Sequence, residues 1–124
     1  MPKKVLLIDD EKDLVETLSF RLQAAGYEVI TAFDGAEGLR LAREHKPDIM
    51  ITDVMMSKMD GYQLCRMLKF SAEFRDMPVI MLTARGQEGD KRIGMDVGAD
   101  YYMTKPFDGA KLLEKMAELL SGKK

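Results

Sequence analysis

Val5-Leu6-Leu7-Ile8-Asp9-Asp10 sets an unbroken apolar run directly before two carboxylates, and the same figure returns twice along the chain. Ile49-Met50-Ile51 runs into Thr52-Asp53, and Val79-Ile80-Met81-Leu82 runs into Thr83. Runs that are apolar at every position belong to strands covered on both faces, the condition of a parallel sheet between helices. Tyr27 to Ala32 and Ala99 to Met103 are more mixed and are expected as strands nearer the sheet edges.

Helical patterns fill the intervals. Leu14, Leu18, Leu22 and Ala25 recur at helical spacing, and Gly26 follows as a C-terminal stop. Asp34-Gly35-Ala36-Glu37 and Asp60-Gly61-Tyr62-Gln63 both read as capping boxes, a carboxylate cap with an acceptor three residues on. Leu39 and Ala42 continue the first helix, and Leu64, Cys65 and Leu68 the second. Asp108 caps a last helix whose buried face is Leu112, Met116 and Leu119. Glu88 to Val97 is a weaker helical segment, because Gly94 inside it costs about 1 kcal/mol relative to alanine. The order is βα repeated five times, an α/β doubly wound sheet of five parallel strands.

At 124 residues the chain, 1–124, suits a single domain. A hydrophobic fraction of 46% supports a core and a charged fraction of 32% a solvated surface. The net charge of −2 gives no basic face for nucleic acid, so no direct nucleic-acid binding is expected. Cys65, the sole cysteine, rules out an internal disulfide and fits a reducing compartment. No apolar stretch nears the ~20 residues that span a bilayer, and Asp9 and Asp10 cut short any signal-like run. The expectation is a cytoplasmic protein with no membrane association.

In an open parallel sheet, functional groups collect beyond the carboxyl ends of the strands. Those ends carry Asp9, Asp10, Asp53 and Thr83, and the fifth strand delivers Lys105 ahead of Pro106. Clustered carboxylates repel one another unless a cation compensates. A few oxygen ligands plus waters suit Mg²⁺, or Mn²⁺, better than a closed Ca²⁺ cage. A carboxylate is a competent nucleophile toward phosphorus, and phosphoryl transfer asks mainly for positioning and charge neutralisation.

Ile8-Asp9-Asp10-Glu11, Thr52-Asp53-Val54-Met55-Met56, Met59-Asp60-Gly61, Leu82-Thr83-Ala84 and the run from Gly98 to Phe107 together resemble the response-regulator receiver family of two-component signalling. The motifs stand in order over nearly the whole chain. The resemblance implies the flavodoxin-like strand order 2-1-3-4-5 and a domain that catalyses only its own phosphorylation and dephosphorylation, a signalling switch. It implies Asp53 as phosphoacceptor and Asp10 as the main metal carboxylate, with Asp53 and the Met55 backbone carbonyl as further ligands and Asp9 acting largely through water. Lys105 resembles the phosphoryl-pairing lysine, Thr83 the switch hydroxyl, and Tyr102 the aromatic that turns inward on activation. A cis Lys105-Pro106 bond is implied as well.

The implied partners are a sensor histidine kinase or a histidine phosphotransfer protein. Beyond them stands a downstream effector, or self-association through the face of the fourth helix, fifth strand and last helix, running through Lys91, Arg92, Asp96, Asp100, Lys111 and Lys115. A free-standing receiver and a piece of a longer regulator are both compatible with the sequence.

Three positions depart from the family. Ser57 replaces a usual proline in the loop after Asp53. Met55 and Arg85 stand where many members carry small or polar residues, and both are expected to slow loss of the phosphoryl group. Two other functions fit less well. An aspartyl-phosphate phosphatase wants an acid two residues after its nucleophile, and that position is Met55. A nucleotide or flavin module wants a G-x-G-x-x-G or P-loop motif, and the chain has neither.

Overall fold

The structure, a computed structural model, describes residues 2–56, 58–83 and 98–122. Five strands, β1 Lys4–Ile8, β2 Glu28–Ala32, β3 Ile49–Asp53, β4 Val79–Thr83 and β5 Tyr101–Thr104, form one sheet in the order β2-β1-β3-β4-β5. All four pairings are parallel. Four helices are described: α1 Lys12–Ala24, α2 Gly35–His45, α3 Gly61–Lys69 and α4 Gly109–Leu120. The expected helical segment from Glu88 to Val97 lies outside the described residues, as do Ser57 and Arg85.

The central strands are apolar throughout because each face has its own core. Leu6, Ile8, Met50 and Met81 pack with Ala42 of α2 and with Leu64 and Leu68 of α3. Val5, Leu7, Ile51, Ile80 and Leu82 pack on the other face with Val15, Leu18 and Leu22 of α1 and Leu112, Met116 and Leu119 of α4. Period-two alternation of side chains within one run therefore feeds two cores. Cys65 is fully buried, and burial pushes its thiol up to about 12, so it acts as a small core residue.

Several boundaries differ from those expected. In α1 the buried stripe runs through Val15 instead of Leu14, which is only partly buried, and Ala25 is exposed at the helix end. Tyr27 drops out of β2 because its N–H closes onto Leu22 O at 3.1 Å, finishing the turn after α1. The fifth strand begins at Tyr101, two residues later than expected, because Asp100 is drawn into a bend described below. Asp60 and Gln63 form the full capping box, whereas only half of the box at α2 forms. Asp34 accepts from Glu37 N, but the Glu37 side chain accepts from Phe33 N, one residue ahead of the cap.

Candidate functional site

The strand register assembles the site. Ile8 pairs with Thr52, so Asp9 and Asp53 emerge side by side from β1 and β3. Asp53 pairs with Leu82, and Thr83 with Thr104, which places Thr83 and Lys105 one step further round the same rim. Lys105 N donates to Thr83 O at 2.7 Å, fixing the backbone that carries the ammonium. The next peptide, Lys105-Pro106, is cis. On the other side of Asp53, Gly61 N donates to Val54 O at 2.8 Å, and a Cβ at Gly61 would collide with the Asp53 carbonyl oxygen. Glycine at that position lets α3 begin directly against the Asp53 backbone.

Asp9, Asp10 and Asp53 each bring a carboxylate oxygen within 4.8 Å of the others, with Asp10 open to solvent and the other two buried. Lys105 Nζ lies 2.8 Å from Asp9 Oδ2, 2.9 Å from Glu11 Oε1 and 3.4 Å from Asp53 Oδ2. Asp9 Oδ1 accepts from Glu11 N at 2.9 Å, turning the chain into α1. Thr83 is fully buried, and its hydroxyl finds no partner among the described residues. A buried hydroxyl without an acceptor or donor is costly, and it marks the place where a further polar group is expected.

Electrostatics follow from this crowding. Burial, reinforced by the charge of Asp9 and opposed by Lys105, holds the Asp53 carboxyl at about 6 instead of the ordinary 3.8. Burial also raises Asp9, against the pull of Lys105. For Lys105 burial works downward, but its contacts with Asp9 and Glu11 and the charge of Asp53 outweigh it, and the net movement is upward. Three oxygen donors with surplus negative charge and solvent access through Asp10 match a hard divalent cation that keeps part of its water shell.

The expected residues thus meet at one rim: Asp9, Asp10, Asp53, Thr83 and Lys105. Met55 follows two residues after β3 and is 60% exposed. Tyr102 is half-buried on β5, and its hydroxyl lies 2.6 Å from that of Tyr62 in a hydrogen bond. Asp100, expected on an outward face, is turned inward. Its carboxylate pairs with Lys69 at 3.2 Å and accepts from Val79 N at 2.8 Å. Lys115 lies over the Tyr101 ring at 4.6 Å. Sequence reasoning passed over Glu11 as a partner of Lys105. Its one signal was position, two residues beyond Asp9 at the same strand end.

Comparison with known proteins bears on these features directly. Residues 5–117 match the family model of the response regulator receiver domain. The chain is 42% identical over 120 residues to the alkaline phosphatase synthesis transcriptional regulatory protein PhoP of Bacillus subtilis, an alignment covering 97% of this chain and 49% of that protein. The chain therefore spans about half the length of that curated relative. A response regulator crystal structure from Chloroflexus aurantiacus superposes with a TM-score of 0.93 at 35% identity, covering 98% of this chain and 99% of that one. The receiver domain of sensor histidine kinase PA1611 from Pseudomonas aeruginosa, solved with a magnesium ion coordinated in its active-site cleft, superposes with a TM-score of 0.89 at 26% identity, covering 98% and 99%. Sheet order, the acidic rim and these matches agree, and the chain belongs to the response regulator receiver domains of two-component signalling.

Proposed function

We propose that Asp53 is the phosphoacceptor, receiving a phosphoryl group from a sensor histidine kinase or a histidine phosphotransfer protein in the cytoplasm. The observation that carries this reading is the convergence of Asp9, Asp10, Asp53 and Lys105 on one strand-end rim, with Asp53 on the central strand. An Asp53 carboxylate oxygen forms a bond to phosphorus while the donor's own bond to phosphorus breaks, so the group passes without net hydrolysis. At neutral pH a carboxyl titrating at about 6 is mostly ionised and able to attack. Lys105 exchanges a carboxylate contact for a phosphoryl oxygen, and the buried Thr83 hydroxyl gains an acceptor.

Asp10, Asp53 and the Met55 carbonyl, with Asp9 through water, are the residues we assign to Mg²⁺ or Mn²⁺. When bound, such a cation neutralises the charge that builds on the transferring oxygens. Movement of Thr83 toward the phosphoryl group draws Tyr102 inward and alters the surface of β5 and α4, toward an effector or a second copy. Because Asp100 is engaged by Lys69, that surface draws its outward charge from other residues, such as Lys111.

A groove of about 760 Å³ opens beside Lys105, lined by Leu14, Phe20, Pro106 and Phe107 among others. It offers the phosphodonor protein a seat next to the acceptor. Met55, exposed beside the site, and Arg85 are assigned to shielding the phosphorylated state. Met55→Asn combined with Arg85→Glu speeds phosphate loss several-fold on this account, and an unchanged rate removes that role.

Incubation with a small phosphodonor and Mg²⁺ should add one phosphoryl group to the intact mass, and Asp53→Asn should abolish the addition. Equal labelling of Asp53→Asn would overturn the assignment.

A further inference from the structure

Helix α1 begins in an unusual way. Its N-cap is Glu11, and the Glu11 side chain makes no capping hydrogen bond. Short side chains are favoured at that position because they fold back onto the first turn's N–H groups. Glutamate is a poor substitute there, and this one reaches away from the helix. Its Oε1 accepts a hydrogen bond from Lys105 Nζ at 2.9 Å, joining residues 94 positions apart. Asp9 Oδ2 lies 2.8 Å from the same ammonium on its buried side.

Lys105 has three N–H donors and three carboxylates around it. Asp9 is fully buried and Asp53 nearly so, whereas the Glu11 side chain is 61% exposed. Glu11 thus pulls from the solvent side, and Asp53 is the most distant of the three partners. We infer that Glu11 is a positioning residue that holds the Lys105 ammonium off Asp53 in the resting domain and must release it when a phosphoryl group arrives. This inference rests on Asp53 being the acceptor. Glu11 also lines the groove beside Lys105, so a partner seated there reaches the contact directly.

The pair is partly exposed, so its hold is modest, and its removal should shift occupancy by about two- to fivefold. Three variants separate reach from charge. Glu11→Gln removes the charge, Glu11→Asp keeps it but shortens the reach, and Asp13→Asn removes a charge from the same exposed first turn without touching Lys105. Two measurements are made on each folded variant. Side-chain NMR of the resting protein follows the Lys105 ammonium and the Asp53 carboxyl carbon. Titration with beryllofluoride and Mg²⁺ gives the affinity for a phosphoryl mimic.

In Glu11→Gln and Glu11→Asp both resonances should move, and mimic affinity should rise about two- to fivefold, with Asp13→Asn close to wild type. Unmoved Lys105 and Asp53 resonances in Glu11→Gln would overturn the inference. So would equal gains in Glu11→Gln and Asp13→Asn, which would mean that only overall charge matters. Failure of the mimic to bind wild type would count against the receiver reading of Asp53 itself, and the resting NMR comparison would still decide whether Glu11 holds Lys105.

Discussion

Two lysines in this domain are each drawn inward by an aspartate, and they live in opposite circumstances. Lys69 and Asp100, with side chains 13% and 18% exposed, form a closed clasp. Lys69 also donates to the backbone carbonyls of Arg75 and Met77, and Asp100 also accepts from Val79 N. One positive and one negative group meet, and neutral backbone takes up their remaining capacity. Lys105, with a side chain 17% exposed, faces three carboxylates that repel one another, with a threonine hydroxyl that has no partner among the described residues at the same strand ends. Both sites bury charge beside strand termini. The first is satisfied and ties α3 to the starts of β4 and β5. The second is left in conflict, and conflict of that kind persists where a ligand or reaction is to resolve it.

The contrast predicts opposite signs for removing an aspartate. Asp100→Ala leaves Lys69 unpaired and Val79 N without its acceptor, and it should cost about 2–3 kcal/mol in urea unfolding. A neutral result would show that the clasp is ornamental. Asp53→Asn relieves repulsion and should stabilise the metal-free protein by about 1–2 kcal/mol at pH 7.

The pH dependence of that gain has a definite direction. Asp53 is raised from 3.8 to about 6 on folding, so the folded state holds its proton where the unfolded chain has released it. Its favourable contribution is complete below about pH 4 and is lost as pH rises through about 6. The stability difference between wild type and Asp53→Asn should therefore open across that window. A constant difference from pH 4 to pH 7 would mean that Asp53 is not electrostatically burdened. Smallest of the set, Thr83→Val should leave the resting domain no less stable, because the hydroxyl has no partner among the described residues to leave behind. The same substitution should still weaken binding of a phosphoryl mimic. A large loss of resting stability would reveal a partner for that hydroxyl.

These two sites also show where sequence reading succeeds and where it stops. The strands and the meeting of Asp9, Asp53, Thr83 and Lys105 were legible because each residue directly follows an apolar run or lies on a recognised motif, and parallel register brings strand ends together, whereas the strand order came only through the family resemblance. Side-chain partner choice was not legible in the same way. Glu11 to Lys105, Lys69 to Asp100 and Tyr62 to Tyr102 join residues 94, 31 and 40 positions apart, and each depends on reach and direction in space. Asp100 illustrates the cost. Read along the chain it belonged to an outward face, but the bend before β5 and the length of Lys69 turn it inward. The boundary errors have the same origin, since Tyr27 and Val15 were decided by how α1 closes on the sheet.

On the proposed function, the carboxylate rim is held in a conflict that a divalent cation relieves. Thermal or urea unfolding of wild type, Asp10→Ala and Asp53→Asn across pH 5 to 7, with and without Mg²⁺, tests it most directly. Mg²⁺ at about ten times its dissociation constant should stabilise wild type by about 1.4 kcal/mol, growing as pH rises because the cation competes with protons for the same oxygens. Asp10→Ala and Asp53→Asn should lose most of that response. An equal response in all three proteins, or none in wild type at saturating Mg²⁺, would contradict the claim.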